Sequence, residues 1–327
     1  MSALMVAGCS APDDRASGAG MAPDARAYLS AVLDHMQETS LRRNAIDWSR
    51  VRDEAFDAAA NAHAPADTYR AISQAVGSLG DGHSYFYTPE QVDEVSAAAG
   101  GVAGQGIEGR RLVDGLGYIA LPGVQGDAKT LAVYVDRGRA EIAAADRGGA
   151  CGWVVDLRRN RGGNMWPMLT LLGPILGDGE AGAFVDADGQ ATSFVIRDGA
   201  PRRGNDTWPW TPPSRVARQN PPVAVLTDGR TASSGEATAV AFRGRPSTRT
   251  FGMPTAGIPT GIAPRTLTDG AVLGITEFEI ADRTGRTYQG PLQPDEEILT
   301  RAKDFGTDTD RALSAASDWL AGRGCPK

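Results

Sequence analysis

Apolar residues recur at helical spacing through the first quarter of the chain. One set shares a single helical face, and it comprises Leu29, Val32, Leu33 and Met36. Two further sets of this kind lie within residues 48–56 and 69–79, and Asp47 precedes the first of them as a candidate N-cap. The pattern predicts three amphipathic helices that pack as a small bundle within residues 24–80.

The periodicity changes after this bundle. A Gly80-Asp81-Gly82 turn leads into a short aromatic β-run over residues 83–87, and an Ala/Gly-rich loop is predicted over 96–106. From about residue 107, short apolar runs alternate with helix-like stretches, among them 127–146, 164–176, 234–243 and 309–321. This alternation predicts a mixed α/β (α+β) core around a largely buried sheet.

The same pattern gives a division of the chain. Residues 1–20 are predicted as a leader and tether, 21–95 as the helical region, and 96–327 as the core. Within the core, residues 178–220 are polar and rich in Gly and Pro, and they are expected to form a cap or lid insertion.

Composition narrows the function classes. Of 327 residues, 41% are hydrophobic and 22% charged, as in soluble globular proteins, and the net charge of −7 argues against nucleic-acid binding. The three cysteines and three histidines form no metal-ligand motif, so no metal and no cofactor are expected. Only three lysines occur, Lys129, Lys303 and Lys327.

The N-terminus indicates a lipid anchor. Residues 1–12 read MSALMVAGCSAP, a short apolar run that ends in small residues and Cys9, followed by a polar stretch. This order resembles a bacterial lipobox, which predicts lipidation of Cys9 and an extracytoplasmic, cell-envelope lipoprotein. The alternative is an apolar N-terminus with a chance cysteine. The chain has no apolar run of about 18 residues, so the membrane is expected as a partner only through this anchor.

Ser233 is the first candidate for chemistry. It lies in Thr231-Ala232-Ser233-Ser234-Gly235-Glu236, between an apolar strand and a predicted helix. The free N–H groups of a helix N-terminus favour a developing oxyanion beside such a serine. The alternative is that Ser233 and Ser234 only cap the helix.

Two further segments complete the candidate chemistry. The Gly162-Gly163 pair also lies between a strand and a helix, where backbone N–H groups can face a ligand, although an ordinary turn or a phosphate loop is an alternative. His83 follows the Gly80-Asp81-Gly82 turn, and neutral imidazole is a suitable base at pH 7. His35 and His63 have no accompanying motif and are predicted on the surface.

Six segments in this order resemble the tail-specific (C-terminal-processing) serine peptidases over roughly residues 70–300. They are Gly80-to-Ser84, Tyr118-to-Pro122, Asp156-to-Gly163, Thr231-to-Glu236, Phe251-to-Gly257 and Tyr288-to-Asp295. The resemblance implies a ClpP/crotonase-like peptidase core. It also implies that Ser233 is the nucleophile and that the N–H groups of Ser234 and of Gly162 or Gly163 form the oxyanion hole.

The base distinguishes two branches of this family. In the lysine branch a lysine follows Thr-x-Gly, but here Ile258 follows Thr255-Ala256-Gly257. The chain therefore resembles the histidine branch, which includes the tricorn core protease and the nisin-resistance protein, and His83 is implied as general base. The glutamate that orients the histidine in some members matches Gln289, a possible orienting residue that carries no charge.

The expected function is endopeptidase cleavage near the C-terminus of an extracytoplasmic peptide or protein, bound as an extended strand. Only about 30 residues separate the His turn from the core, too few for the PDZ domain of many relatives. A non-catalytic peptide- or ligand-binding module on the same fold is the runner-up. A crotonase-like acyl-transfer enzyme is a further alternative, and an α/β-hydrolase is disfavoured because GxSxG is absent.

Overall fold

The computed structural model describes residues 20–101, 104–112 and 114–325. Cys9 and the predicted lipobox lie outside the described residues. No helix within these ranges is long and apolar enough to cross a membrane.

Three helices form the predicted N-terminal bundle: α1 (Pro23–Thr39), α2 (Trp48–Ala58) and α3 (Tyr69–Ser78). The carboxylate of Asp47 accepts the N–H of Arg50 at 3.2 Å, which confirms it as the cap of α2. The bundle core is fully buried and includes Leu29, Leu33, Met36, Ile72 and Leu79. His35, predicted on the surface, is instead a mostly buried side chain with 13% of it exposed.

A fourth helix, α4 (Pro89–Gly101), was missed by the sequence prediction. The side chains of Thr88 and Gln91 cap its start reciprocally, each bonded to the other's backbone N–H, and Pro89 suits the first helical position. The loop predicted over 96–106 is therefore wrong for residues 96–101, where an alanine run continues the helix.

One six-stranded sheet carries the turns that contain the Gly162-Gly163 pair and Ser233. Its order is β12-β9-β8-β4-β3-β2, and its strands are β2 (Glu108–Arg111), β3 (Gly117–Ala120), β4 (Trp153–Asp156), β8 (Val223–Thr227), β9 (Thr248–Gly252) and β12 (Glu296–Glu297). All neighbours pair in parallel except β2 with β3. Adjacent parallel strands end at one edge, so the turns after β4 and β8 lie side by side.

Helices cover both faces of this sheet. Helices α5 (Ala128–Ala145), α6 (Met165–Leu176) and α7 (Ser234–Phe242) share a core with Trp153, Val155 and Val225. Helix α8 (Arg311–Ala321) packs on the other face, against Val154 and Leu226. These helices and the buried strands confirm the predicted α/β core.

A second, antiparallel sheet joins the bundle to the core. Its path is β1-β11-β5-β6-β7, with β10 paired to β11, and its strands are β1 (Tyr85–Tyr87), β5 (Gly179–Val185), β6 (Ala191–Arg197), β7 (Ala200–Arg203), β10 (Thr260–Thr266) and β11 (Val272–Ala281). Much of the 178–220 segment thus extends this sheet. The bundle packs on its strand β11 through Leu273 and Ile275.

A disulfide joins Cys151, just before β4, to Cys325 after α8. The two cysteines are 174 residues apart in sequence, and their Cα atoms are separated by 5.3 Å. The bond closes a long loop and fixes the C-terminal helix on the sheet. Nothing in the spacing of the three cysteines predicted this pair.

Candidate active site

Ser233 lies in the turn between β8 and α7. The strand before it is buried at all five residues, and its backbone has φ 52° and ψ −119°, a conformation that non-glycine residues adopt only under strain. Its Oγ lies 2.8 Å from Nε2 of His83. The hydroxyl is therefore directed at an imidazole, as a nucleophile requires.

His83 is held by the turn that precedes β1. One carboxylate oxygen of Asp81 accepts the N–H groups of His83 and Ser84 at 2.9 and 2.8 Å, and the other accepts the Ser84 hydroxyl. Burial lowers the pKa of His83 below its ordinary value, and the charge of Asp81 opposes this only in part. The imidazole is therefore neutral at neutral pH and able to accept a proton.

The second ring nitrogen of His83 contacts Thr260, the first residue of β10. Nδ1 lies 2.7 Å from Oγ1 of Thr260. Gln289 was predicted as a possible orienting residue for His83, but the side chain in contact with Nδ1 is that of Thr260. Gln289 is exposed and donates its amide to Glu279, the partner of Thr260 across the β10–β11 ladder. Sequence reasoning missed Thr260 because a single hydroxyl on an edge strand has no local signature.

The glycine pair packs directly against the serine turn. Both glycines have positive φ, and a Cβ on Gly162 would lie 2.8 Å from Cβ of Ser233 and 3.0 Å from N of Ser234. The Ser234 hydroxyl donates to the carbonyl of Gly163 at 2.7 Å, which joins the two turns. A side chain at Gly162 would displace Ser233.

The hydrogen bonds distinguish the predicted oxyanion donors. The N–H of Gly162 donates to Oδ1 of Asn160 at 2.9 Å, so it is already occupied. Ser234 is the first residue of α7, so its N–H has no intrahelical acceptor. The N–H of Gly163 has no acceptor among the described residues. Of the two glycine alternatives, Gly163 is the one whose donor is available.

Asn160 is a second residue that sequence reasoning missed. It is fully buried, and its Nδ2 donates to the carbonyl of Leu121 at 2.9 Å while its Oδ1 holds Gly162. Its own carbonyl accepts the N–H of Ala232 at 2.9 Å. One residue therefore connects the end of β3, the glycine turn and the serine turn. The sequence signal that could have identified Asn160 was its place in the Asp156-to-Gly163 segment.

Glu236 holds the other side of the serine turn. Its carboxylate is fully buried and accepts four hydrogen bonds, from the N–H groups of Ser233, Gly257 and Ile258 and the hydroxyl of Thr255. Burial raises the pKa of this carboxyl, and the four donors oppose the rise. Ile258, the residue that follows Thr255-Ala256-Gly257, thus donates its backbone N–H to the carboxylate of Glu236.

Within the described residues, no group of three or more His, Cys, Asp or Glu side chains could hold a metal ion. The available chemistry at this site is that of a serine, an imidazole and backbone donors. This combination can carry out acyl transfer through a covalent intermediate.

Known proteins share this architecture. The model of peptidase family S41 matches residues 115–298. The nisin-resistance protein of Lactococcus lactis subsp. lactis is 27% identical over 299 residues, which cover 91% of this chain and 87% of that protein.

Two solved structures show the fold. A lipoprotein from Streptococcus agalactiae superposes with a TM-score of 0.74 at 23% identity, covering 93% of this chain and 98% of that one. The photosystem II D1 C-terminal processing protease superposes with a TM-score of 0.58 at 15% identity, covering 84% and 93%. Both similarities concern the arrangement of the helices and sheets.

Proposed function

Because this chain belongs to peptidase family S41 and is therefore a serine-type peptidase, we propose that Ser233 is its nucleophile and His83 its general base. The 2.8 Å contact between Oγ and Nε2 carries this assignment. The half-buried, neutral imidazole and the strained serine backbone support it.

The proposed reaction begins with transfer of the Ser233 proton to Nε2 of His83 while Oγ attacks the scissile carbonyl. The N–H groups of Ser234 and Gly163 stabilise the resulting oxyanion. The imidazolium then protonates the leaving amine, the C–N bond breaks, and an acyl-serine remains. A water molecule, deprotonated by His83, hydrolyses this ester and restores the serine.

In this mechanism Thr260 orients the imidazole. For Nε2 to accept the serine proton, Nδ1 must carry hydrogen and donate it to Oγ1 of Thr260, 2.7 Å away. A hydroxyl thus takes the place of the carboxylate found in Ser-His-Asp triads. It fixes the ring without stabilising the imidazolium by a full charge.

We further propose that the substrate is a peptide bound in extended form along β10. Among the described strands, β10 pairs only with β11, so its outer edge can accept another strand. Pro264 within it is compatible with an edge position, since proline lacks the N–H of a central strand. The strand begins at Thr260, so an added peptide would pass the His83 contact.

Cleavage is proposed to occur outside the cytoplasm, near the C-terminus of the substrate. The Cys151–Cys325 disulfide supports an oxidising compartment. Lipidation of Cys9 remains part of this proposal. The net charge of −7 would attract cationic peptides at low salt. The relative named for nisin resistance makes an antimicrobial peptide one candidate substrate, beside the unstructured tails of envelope proteins.

The test compares wild-type protein with Ser233→Ala and Ser234→Ala on lantibiotics and on unstructured protein tails, with cleavage sites read by mass spectrometry. We expect cleavage near the C-terminus by wild type and none above background by Ser233→Ala. Ser234→Ala should retain activity, because its backbone donor remains. Tight peptide binding without cleavage would instead favour the binding-module alternative.

A further inference from the structure

Five aromatic side chains from separate parts of the chain contact one another beside the candidate site. This aromatic cluster consists of Trp166, Phe184, Phe194, Trp208 and Phe278. The rings of Trp166 and Trp208 are stacked with centroids 3.7 Å apart. The remaining pairs have centroid distances of 5.4 to 6.0 Å, within the usual range for aromatic contacts.

The cluster connects the two sides of the candidate site. Trp166 lies in the first turn of α6, three residues after Gly163, whose carbonyl binds Ser234. On the other side, a Cβ added to Gly261 would lie 3.2 Å from the Phe184 ring. Gly261 follows Thr260, which contacts His83. The aromatic side chains therefore extend from the oxyanion turn to the strand that orients the base.

The cluster has a buried part and a partly exposed rim. Phe194 is 0% exposed and Phe184 is 8% exposed, so they belong to the hydrophobic core. Trp166, Trp208 and Phe278 remain only partly buried. Large aromatic side chains that stay partly exposed are enriched at binding surfaces.

Arg203, which lies on β7 in the 178–220 segment, contacts one side of this cluster. The guanidinium of Arg203, on β7, lies 5.8 Å from the ring centres of both Trp166 and Phe184. Asp206 accepts hydrogen bonds from Nε and one terminal nitrogen of Arg203, which limits the movement of the guanidinium. The rim is thus held in a defined position relative to the catalytic turns.

We propose that Trp166, Trp208 and Phe278 form a subsite for an apolar side chain of the peptide substrate, within two residues of the scissile bond. The inference rests on the proposed function and adds a substrate class to it. An apolar side chain on these rings would leave water, and the covered aromatic area favours binding. A charged side chain there would lose part of its hydration against the aromatic rings.

The test uses synthetic peptides that share one sequence except at a single position. That position is one of the two residues before or the two residues after the cleaved bond, and it is Ala, Leu, Phe or Glu. Wild-type protein should show kcat/KM about 10-fold higher or more for Leu or Phe than for Ala at one position. Trp166→Ala and Phe278→Ala should reduce that preference to within about 3-fold, because the Leu or Phe peptide loses the aromatic surface that it covers.

Trp319→Ala and Phe56→Ala are matched controls. Both are partly buried aromatic residues, in α8 and α2, outside the cluster, and these variants should keep the wild-type preference. If Trp166→Ala fails to fold, Trp208→Ala and Phe278→Ala provide the same comparison. Absence of an apolar preference in wild type, or an unchanged preference in both rim variants, would overturn the subsite.

A small fluorophosphonate that reacts with Ser233 separates this inference from the proposed function. Labelling of Ser233 in wild type and in the rim variants, with altered peptide preference in the variants, supports the subsite. Labelling of Ser233 with unaltered preference overturns the subsite alone. Absence of labelling at Ser233 in wild type overturns the nucleophile assignment, and the subsite with it.

Discussion

The backbone N–H of Ser233 donates to the carboxylate of Glu236 at 2.9 Å, so Ser233, the N-cap residue of α7, is held by a side chain of that helix. The same carboxylate binds Thr255, Gly257 and Ile258, two to five residues before the Thr260 that contacts His83. One buried side chain therefore connects the backbone of Ser233 to the segment that leads to Thr260, which contacts His83.

Replacing Glu236 by Gln should reduce kcat strongly. An amide presents N–H groups to some of the four donors, so at least one buried donor loses its acceptor, at a cost of about 1–3 kcal/mol. The displaced serine turn should lower kcat about 10-fold or more. Steady-state kinetics and urea unfolding measure the two effects. Glu94→Gln, on the exposed face of α4, is the control, and near-wild-type values for both variants would contradict the bridging role.

Thr260 variants test the orienting hydroxyl. Thr260→Val keeps the shape but removes the acceptor for Nδ1–H, whereas Thr260→Ser keeps the acceptor. We expect Thr260→Val to lower kcat about 10-fold or more with a smaller change in KM, and Thr260→Ser to stay within a few-fold of wild type. Equal activity of the Val and Ser variants would show that the 2.7 Å contact does not contribute.

The pH profile follows from the lowered pKa of His83. Only neutral imidazole accepts the serine proton, so kcat/KM should rise with pH through the pKa of His83 in the free enzyme. Because burial lowers that pKa, the midpoint of the rise should lie below the ordinary value of 6.5. A midpoint clearly above 6.5 would contradict the lowered pKa of His83, and a flat profile together with an active His83→Ala variant would remove His83 as the titrating base.

Asn160→Ala tests the connection between the glycine and serine turns. The substitution leaves the buried N–H of Gly162 and the carbonyl of Leu121 without their partner. Misplacing an oxyanion donor lowers kcat by about 10²-fold, so a large fall in kcat per folded site is expected, with KM changed little. Asn164→Ala, which removes the N-cap of α6 in the same segment, should chiefly lower stability. Equal kinetic effects of the two variants would contradict a specific role for Asn160.

The disulfide should contribute to stability and not to catalysis. Removing a bond that closes a loop of this length costs roughly 2–5 kcal/mol. The double variant Cys151→Ser with Cys325→Ser should therefore unfold at lower urea concentration and keep its kcat. Identical unfolding of the wild type with and without reductant would show that the bond is absent from the protein in solution.

The sequence predicted the parts of the molecule whose structure depends on short, local sequence patterns. Helices α1 to α3 and the buried strands β4 and β8 followed from local periodicity. The turns made Ser233 and His83 candidates and the family resemblance implied their roles, although 150 residues separate them. Both turns combine small residues with a flanking strand, a pattern that can be recognised without tertiary contacts.

The parts that were missed depend on distant contacts. Thr260 reaches His83 through the register of β10 on β11, which shifts between Gly261 and Ile262. Cys151 meets Cys325 only because α8 packs across the sheet. The last part of α4, residues 96–101, was predicted as a loop because of its Ala/Gly content.

The most direct test of the Ser233–His83 pair is fluorophosphonate labelling followed by peptide mapping. The account predicts a single covalent adduct on Ser233 in wild type, no adduct in Ser233→Ala, and labelling of His83→Ala that is slower by several orders of magnitude. An adduct on another serine, or wild-type labelling rates in His83→Ala, would contradict it.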